Sequence, residues 1–563
     1  MLKILNSLLC LIIPLAVAVS AFGSNTPVAL LSAQSNSSPY QMKNVYEPET
    51  SISAPPTVIT RIDNEKKLKS LNAEGERTQV ALFNIEDTSL NIIIDNKTHT
   101  ISEIFDACAT AVIPMFTASD TDTAKAFAEY VVNNDIFDVI LASDKTEALS
   151  AAYDTESSAI RYAYLAGSIS EENSAEKIAL DTHTANANIA IINQAAALSR
   201  ADAEYLQLRG IAVWLNSNES NDRQRVFNAV DSGANGVIVN SFSTAYNMYE
   251  KVRGESPVSI RKSFIVGHRG APTAAPENSL ASFDKAISLG ADAVEADIWM
   301  ALDGTLVCCH NGTIDGYTTD SSAKGSVMTK TWDQLSQYTL RKKGAFENEQ
   351  FCKVEWLFEL LQKNPDIVAF VELKDAREKA VAATVSLMES MGVEKQIFFI
   401  SFDKKALEYA REYAPYCGTG YLASAPYDEA DSINENLMEI MNSIGNLSAT
   451  PDYIYSSEIS SSVHSVEFVK AASHRGILMQ AWTIRDQDDM VSLAKNGVTS
   501  ITTDYPTWSK NEHLHTYKSI SAQAIFPNSY TGLIICICAA VAVVAAVSLT
   551  CIIIIKRKKN KNL

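Results

Sequence analysis

Short apolar segments alternate along most of this chain with amphipathic segments of helical length. Apolar strands separated by such helices predict repeated βα units and a parallel sheet. One pattern of strand, loop, helix, glycine and strand occurs twice, beginning at Gly210 and again at Gly476. A weaker match of the same kind relates the segments that begin at Thr100 and Val354. We therefore expect two related α/β domains.

The length of 563 residues fits this division, because one hydrophobic core rarely serves more than about 250–300 residues. The second domain, over 262–508, has the size of a (β/α)8 barrel, which usually has about 250 residues. The first, over 57–254, is shorter, so an incomplete barrel or another α/β arrangement stays open for it. The expected order is a signal peptide (1–21), a polar spacer (22–56), the first domain (57–254), the second domain (262–508), a stalk (509–531), a transmembrane helix (532–555) and a basic cytoplasmic tail (556–563).

Both ends of the chain predict an association with a membrane. Lys3 precedes an apolar run over residues 8–19 and a small residue at Ala21, as in a secretory signal peptide. Residues 532–555 carry no charge and are long enough to span about 30 Å of hydrocarbon. Basic residues follow at once, so the positive-inside rule leaves the tail in the cytoplasm. We expect a single-pass type I protein of the cell membrane, with both α/β domains extracellular.

Charge and cysteine content argue against two other classes of protein. A formal net charge of -19 argues against a broad nucleic-acid surface, which needs clustered Lys and Arg. The cysteines outside the apolar ends have no CxxC spacing, so the sequence predicts neither a disulfide framework nor a zinc site.

Two histidines stand at strand ends in the second domain. An apolar strand at 264–266 runs into His268 and Arg269, which supply a proton-transfer group and a cation where the strand opens into a loop. A further short strand at 305–310 again ends in a histidine, His310. Barrel enzymes carry their chemistry at the C-terminal ends of strands, so we expect both histidines at one mouth.

Carboxylates cluster on two neighbouring strand segments. In the strand at 293–299, alternation puts Glu295 and Asp297 on one face and apolar side chains on the other. Two such carboxylates repel each other unless a cation lies between them, and a hard divalent metal meets this need. Glu372 and Lys374 share a face of a later strand. Alone they could form a structural ion pair, but beside the first two carboxylates they predict a third metal ligand and a phosphate clamp.

The motifs of the second domain also follow a known order, from the first histidine to the last strand. In sequence they are His268-Arg269-Gly270, Pro276-Glu277-Asn278, Gly290-Ala291-Asp292, Glu295-x-Asp297, Asp303-Gly304, His310, Glu372-x-Lys374, Ser401-Phe402, Trp482-Thr483 and Thr503-Asp504-Tyr505-Pro506. This order resembles the glycerophosphodiester phosphodiesterase family, whose fold is a (β/α)8 TIM barrel.

The resemblance implies a Ca²⁺- or Mg²⁺-dependent hydrolase that releases an alcohol and sn-glycerol 3-phosphate from a glycerophosphodiester. Carried over by position, Glu295, Asp297 and Glu372 would hold the metal. His268 and His310 would act as general acid and general base.

The resemblance also implies how the substrate is held. Arg269 and Lys374 would bind the phosphate, and Trp482 would form a wall of the glycerol pocket unless it is a packed core residue. The substrate would be a deacylated phospholipid or a polyglycerol-phosphate polymer.

Asn311, a second His-Arg-Gly motif and the first domain each differ from what the family pattern would give. Asn311 stands where the family usually has Asp, so we expect a lower activity. A second His-Arg-Gly begins at His474 but precedes its strand, so it should lie at the opposite barrel end and take no part in catalysis. In the first domain the segment that matches Glu372 reads Pro114-Met115-Phe116-Thr117, so this domain is expected to be a degenerate, catalytically silent relative.

Two alternative functions remain. One is a phospholipase of the phosphatidylinositol-specific or sphingomyelinase D type, which would need an apolar lip for acyl chains. The other is a surface binding protein without activity, although the complete set of polar site residues argues against it.

Overall fold

The computed structural model describes residues 42–511, apart from 156–158, 195–197, 218–220, 255, 424–453 and 459–464, together with Leu514. The expected signal peptide, transmembrane helix and basic tail lie outside the described residues. Among the residues that are described, no helix has both the length and the apolar character needed to cross a membrane.

The first domain is a complete barrel despite its short length. Eight of its ten strands are parallel and close on themselves in chain order, because the first strand pairs with both the second and the last. The remaining two form a hairpin. The strands are β1 (Thr57–Arg61), β2 (Val80–Asn84), β3 (Asn91–Ile94), β4 (Lys97–Thr100), β5 (Ile113–Thr117), β6 (Val139–Ser143), β7 (Ile160–Gly167), β8 (Ile189–Gln194), β9 (Ala212–Ser217) and β10 (Gly236–Val239), with β3 and β4 as the hairpin.

Helices cover the outside of this barrel, and most begin at a Ser, Thr, Asp or Asn cap. They are α1 (Glu65–Ser70), α2 (Ile101–Cys108), α3 (Thr121–Asn133), α4 (Thr146–Tyr153), α5 (Ala175–Thr184), α6 (Arg200–Leu208), α7 (Asp222–Ser232) and α8 (Phe242–Tyr249).

The second domain is also an eight-stranded parallel barrel, which confirms the (β/α)8 prediction for the catalytic domain. Eight of its ten described strands form the barrel, and β13 and β14 lie outside it. The strands are β11 (Phe264–Gly267), β12 (Ala293–Met300), β13 (Leu306–Cys308), β14 (Cys352–Lys353), β15 (Val368–Leu373), β16 (Ile397–Ser401), β17 (Gly418–Ala423), β18 (Ile454–Glu458), β19 (Leu478–Ile484) and β20 (Ser500–Thr503). Its helices are α9 (Leu280–Leu289), α10 (Trp332–Leu335), α11 (Val354–Lys363), α12 (Glu378–Met391), α13 (Lys404–Tyr413), α14 (Val466–Ser473) and α15 (Gln487–Asn496).

The strand that leads to His310 is not a barrel strand. β13 pairs antiparallel with the end of β12 and with β14, and the next barrel strand after β12 is β15. β12 has eight residues whereas β11 has four, so β12 extends beyond the barrel rim and carries β13 there. The sequence predicted a strand over 305–310 that ends in His310, but β13 ends at Cys308 and His310 lies in the loop after it. Its antiparallel direction was not predicted, because this pairing depends on a turn above the rim.

The two barrels contact each other through the N-terminal ends of their strands. One hydrophobic cluster includes inward-facing residues of both barrels, among them Ile59 and Ile113 from the first and Phe264 and Val368 from the second. Because both barrels present the same end to the interface, their C-terminal mouths face away from each other.

The second His-Arg-Gly lies in this interface. Arg475, just before β19, forms a buried ion pair with Asp138, just before β6, with Nη2 to Oδ2 at 2.5 Å. His474 is fully buried, with Nδ1 2.9 Å from Thr57 Oγ1 and Nε2 2.5 Å from Glu47 Oε1. The motif was expected at the end of the barrel away from the active site, and it lies there. Its role in joining the barrels was not predicted.

Candidate active site

The turn after β11 is shaped by glycines. Gly270 has φ +86°, and a Cβ atom there would lie 2.5 Å from the backbone of Ser282, so only glycine fits. A Cβ atom at Gly267 would lie 2.5 Å from the carbonyl oxygen of Gly270. Arg269 also takes a left-handed φ of +51°, and its backbone N–H donates to Glu295 Oε2 at 2.7 Å. The tight turn thus joins the His-Arg-Gly motif to the first carboxylate.

The three candidate metal ligands converge inside the mouth of the second barrel. Glu295 and Asp297 project from β12, and Glu372 projects from β15, where it is the register partner of Asp297. All three side chains are buried, and one oxygen from each lies within 4.8 Å of the other two. In the described part of the chain, no second group of acidic, histidine or cysteine side chains is arranged to hold a metal.

Two cations and an amide contact this carboxylate cluster. Lys374 Nζ lies 2.6 Å from Glu372 Oε1 and 3.4 Å from Asp297 Oδ1. Arg269 Nε lies 3.7 Å from Asp297 Oδ2, and Asn278 donates to the same oxygen at 2.8 Å. Asp297 is therefore the carboxylate with the most positive surroundings.

The three carboxyl groups hold their protons with different strength. Burial opposes ionisation of Asp297, but the charges of Lys374, His310 and Arg269 keep its pKa below the usual value. Burial, reinforced by the charge of Asp297, raises the pKa of Glu372 to about 8. Burial and the charges of Asp297 and Glu372 raise the pKa of Glu295 well above its usual value. Near neutral pH the cluster therefore retains protons that a bound cation would displace.

The residues present fit a divalent cation. Glu295 Oε1 is buried without a hydrogen-bond partner, and such an oxygen is costly unless something binds it. Carboxylate oxygens are the ligands that Ca²⁺ and Mg²⁺ prefer. Glu295, Asp297 and Glu372 together offer a buried, all-oxygen ligand set for either ion.

His268 is oriented by a carboxylate that the sequence did not single out. Its Nδ1 lies 2.6 Å from Asp504 Oδ1. Burial opposes ionisation of Asp504, yet hydrogen bonds from His268 and Arg485 keep its pKa below the usual value. An ionised carboxylate only accepts hydrogen bonds, so Nδ1 carries the proton and Nε2 is left for proton exchange.

His310 has a weaker partner. Its Nδ1 lies 2.7 Å from the side-chain oxygen of Asn311, which accepts a hydrogen bond but carries no charge. Burial, together with the charges of Arg269 and Lys374, lowers the pKa of His310, although Asp297 opposes this effect. The two histidines therefore differ in their partners, a carboxylate for His268 and a neutral amide for His310.

Both histidines line one cavity of about 400 Å³ at the mouth. Glu295, Glu372, Arg269 and Lys374 line the same cavity. Trp482 and Phe402 also line it, and their ring centroids are 5.4 Å apart with the planes at 88°. All eight residues predicted for the site lie in this region, with Asp297 buried beneath the cavity floor against Lys374.

Sequence reasoning missed the roles of four residues at this site. Asn278 bonds to Asp297, Glu277 pairs with Arg269 at 3.0 Å, and Arg485 contacts Asp504, which orients His268. Three of the four belong to motifs that the sequence displays, but their partners become clear only when the strands are arranged in a barrel.

A parallel barrel with buried carboxylates, two cations and two histidines at its C-terminal mouth has the features of a barrel hydrolase for an anionic ester. The glycerophosphoryl diester phosphodiesterase family matches residues 268–507 of this chain. The match covers the second barrel, which is therefore similar to the phosphodiesterase domains of that family.

Individual relatives cover the same region. A glycerophosphodiester phosphodiesterase of Caldanaerobacter subterraneus subsp. tengcongensis is 26% identical over 254 residues, which are 44% of this chain and 95% of the relative. One from Bacillus subtilis is 25% identical over 268 residues, 44% of this chain and 86% of the relative. The solved structure of an Oleispira antarctica phosphodiesterase in complex with the product sn-glycerol-3-phosphate is similar with a TM-score of 0.37 and 22% identity, covering 46% of this chain and 97% of that one.

Proposed function

We propose that the second barrel hydrolyses glycerophosphodiesters to sn-glycerol 3-phosphate and an alcohol, with a divalent cation bound by Glu295, Asp297 and Glu372. The observation that carries this proposal is one cavity that is lined by two histidines, three cationic side chains and two carboxylates of the cluster, Glu295 and Glu372. The match of the barrel to the family supports the substrate class.

The charges of the cavity suit a phosphodiester. Such a substrate carries one negative charge, and further charge develops on its oxygens as phosphorus is attacked. Arg269 and Lys374 line the cavity and stay protonated, because neighbouring carboxylates raise the pKa of each despite burial. A divalent cation bound to the carboxylates would add Lewis-acid stabilisation of the same oxygens.

The two histidines suit opposite halves of acid–base catalysis. His310, whose pKa is lowered by burial first of all, stays neutral near pH 7 and can take a proton from the attacking hydroxyl. Asp504 holds Nδ1 of His268, which leaves Nε2 for proton transfer to the leaving alcohol oxygen. We therefore assign His310 as base and His268 as acid.

The apolar wall suits the glycerol part of the substrate. Trp482 and Phe402 offer flat surfaces to its carbon atoms, and Lys374 Nζ lies 5.4 Å from the centroid of the Phe402 ring. Among the described residues, Phe402 is the only large exposed apolar side chain that lines this cavity. An acyl-chain lip of the kind that a phospholipase needs has little support in these residues.

We also propose that the protein is exported and anchored in the cell membrane. The proposal rests on the apolar segments at 8–19 and 532–555 and on the basic residues after the second. The first barrel is proposed to be catalytically silent, since the acidic cluster of the second barrel has no counterpart among its described residues. Protease digestion of intact cells tests the location, because an extracellular barrel pair would be removed while the tail stays protected.

The test of the activity is direct. The full-length protein is incubated with glycerophosphocholine and Ca²⁺ or Mg²⁺, and glycerol 3-phosphate is measured enzymatically. We expect release that stops in excess chelator. Binding of the diester without any release would instead support a silent binding protein, and release from intact phospholipids alone would support a phospholipase.

A further inference from the structure

A second cavity of about 450 Å³ opens beside the active-site cavity. We call it the basic side pocket and define it by six of its lining residues. These are Arg269, Glu277, Asn311, Tyr317, Arg341 and Lys343. Arg269 lines both cavities, so the two cavities meet at this residue. Both volumes fall in the range of about 300–1,000 Å³ that is usual for ligand sites.

Three consecutive basic residues, 341–343, line this pocket, and we call them the basic segment. The segment is held in position at both ends. Leu340 is buried in an apolar cluster, and its N–H donates to the carbonyl of Glu349 at 2.7 Å. Gly344 has φ +59°, and a Cβ atom there would lie 2.3 Å from the carbonyl oxygen of Ala274. The backbone of the basic segment therefore lies directly against the loop that follows the His-Arg-Gly turn. Such a close approach requires glycine and fixes the segment beside the site.

The pocket contains uncompensated positive charge. Its acidic residues are already bound, since Glu277 pairs with Arg269 and Asp315 accepts hydrogen bonds from Thr313 and from the N–H of Gly325. Among the described residues, no carboxylate oxygen comes within 4.0 Å of the charged nitrogens of Arg341 or Lys343. Arg341 Nε donates to the carbonyl oxygen of Thr318 at 3.2 Å, which is a neutral partner, so among the described residues the charges of Arg341 and Lys343 are not neutralised by an ion pair.

We propose that the basic side pocket binds a second phosphate group, carried by the alcohol part of the substrate. The inference rests on the proposed function, because it assumes that the first phosphate binds between Arg269 and Lys374. A diester bound there would direct one substituent toward the apolar wall and the other past Arg269 into the side pocket. Arg341 and Lys343 would then contact the second phosphate, for which guanidinium and ammonium groups are suited donors.

The substrate class that follows is a glycerophosphodiester with more than one phosphate. Two sources share this chemistry: a small molecule such as bis(glycerophospho)glycerol, and a polymer of glycerol phosphate. A substrate with a neutral or cationic alcohol, such as glycerophosphoglycerol or glycerophosphocholine, would leave the pocket unused.

The test compares four substrates on the full-length protein: bis(glycerophospho)glycerol, a short poly(glycerol phosphate), glycerophosphoglycerol and glycerophosphocholine. The variant Arg341→Gln/Lys343→Gln removes the charge of the pocket while keeping polar side chains. The matched control is Lys363→Gln, an exposed lysine at the end of α11 that lines neither cavity.

We expect the double variant to raise KM about two- to thirtyfold for the two substrates with more than one phosphate, since two exposed ion pairs contribute roughly 0.4–2 kcal/mol together. kcat/KM for glycerophosphoglycerol should stay within about twofold of the unsubstituted protein, and the control should change none of the four. A lower KM for both multi-phosphate substrates than for glycerophosphoglycerol, in the unsubstituted protein, supports the subsite in general. A lower KM for the polymer alone identifies the polymer as the source of the second phosphate.

The subsite is rejected if the double variant changes all four substrates equally, or if the multi-phosphate substrates have no advantage in the unsubstituted protein. A protein that hydrolyses none of the four would reject the proposed function instead. In that case calorimetry in excess chelator still tests the pocket, because bis(glycerophospho)glycerol should bind more tightly than glycerophosphoglycerol and lose this difference in the double variant. Equal affinities there would reject the pocket as well.

Discussion

Asp504 Oδ1 lies 2.6 Å from His268 Nδ1, although 236 positions separate the two residues in the chain. They meet because the barrel closes by pairing its first strand with its last, with Gly267 opposite Thr503. Each side chain follows directly after its strand. Closure of the barrel therefore provides the proposed acid with a fixed tautomer and a stabilising negative charge.

Replacing Asp504 by Asn should lower kcat about 10²-fold or more, since an amide stabilises the protonated imidazole poorly and can also hold the wrong tautomer. Metal affinity, measured by calorimetry, should stay unchanged because the carboxylate cluster is intact. Asp489→Asn on the exposed surface of α15 is the matched control and should keep full activity. Near-normal kcat for Asp504→Asn would show that His268 does not depend on this partner.

Metal binding should release protons. The pKa of Glu372 is raised to about 8 by burial first and by Asp297 second, so it is mostly protonated at pH 7. A cation needs the ionised form, and apparent metal affinity should therefore rise with pH between about 6 and 8. Calorimetry in buffers of different ionisation enthalpy measures the released protons directly. Affinity that is independent of pH over this range would contradict the assignment.

The same carboxyl groups predict how stability depends on pH without metal. Their pKa is raised in the folded protein, so the folded state binds more protons and loses stability as pH rises from about 4.5 to 8. Excess Ca²⁺ or Mg²⁺ should restore Tm most strongly near pH 8. Glu295→Gln should abolish this rise of Tm with metal while leaving the metal-free Tm unchanged. The control Glu355→Gln, on the exposed face of α11, should retain the rise of Tm with metal. A metal effect retained by Glu295→Gln would exclude this residue as a ligand.

Asn311→Asp should shift the pH profile. A carboxylate beside His310 Nδ1 would favour its protonated form and raise its pKa, which burial now lowers. A general base must be neutral, so the rise of kcat/KM on the acidic side should move to higher pH. The pH dependence of kcat/KM for glycerophosphocholine measures the shift, with Asn311→Ser as the uncharged control. A profile that moves to lower pH would mean that His310 is not the base.

The interface between the barrels should depend strongly on one ion pair. Asp138→Asn leaves the fully buried Arg475 without its charge partner, which should cost about 3–5 kcal/mol in the free energy of unfolding. Glu176→Gln removes the exposed Lys395–Glu176 pair between the same two barrels and should cost at most about 1 kcal/mol. Urea denaturation compares the two variants. Equal, small losses would mean that the buried pair contributes little to holding the barrels together.

Local periodicity was sufficient to predict the carboxylate cluster. Side chains alternate along a strand, so Glu295 and Asp297 had to share a face of β12, and Glu372 projects from the same face of β15, with Lys374 directly after that strand. The same alternation puts Val294 and Ala296 in the apolar cluster on the outside of the barrel. Predicting which side chains share a face did not require knowing which strands become neighbours in the barrel.

Long-range partners could not be predicted in this way. The contact of Asp504 with His268 depends on closure of the barrel, although its position at the end of the last strand was a usable signal. The buried ion pair of Arg475 and Asp138 depends on how the two domains dock, and no local sequence pattern around either residue predicts this pair. The antiparallel course of β13 depends on a turn above the rim.

Because the barrels pack through the N-terminal ends of their strands, their two mouths open on opposite sides of the molecule and do not obstruct each other. Loops at the first barrel's mouth can lengthen, shorten or change composition without entering the catalytic cavity, because the whole thickness of both barrels separates them. A ligand held at one mouth leaves the other accessible. The first barrel is thus a position at which selection, or a protein engineer, can add a second specificity without obstructing the distant mouth of the second barrel.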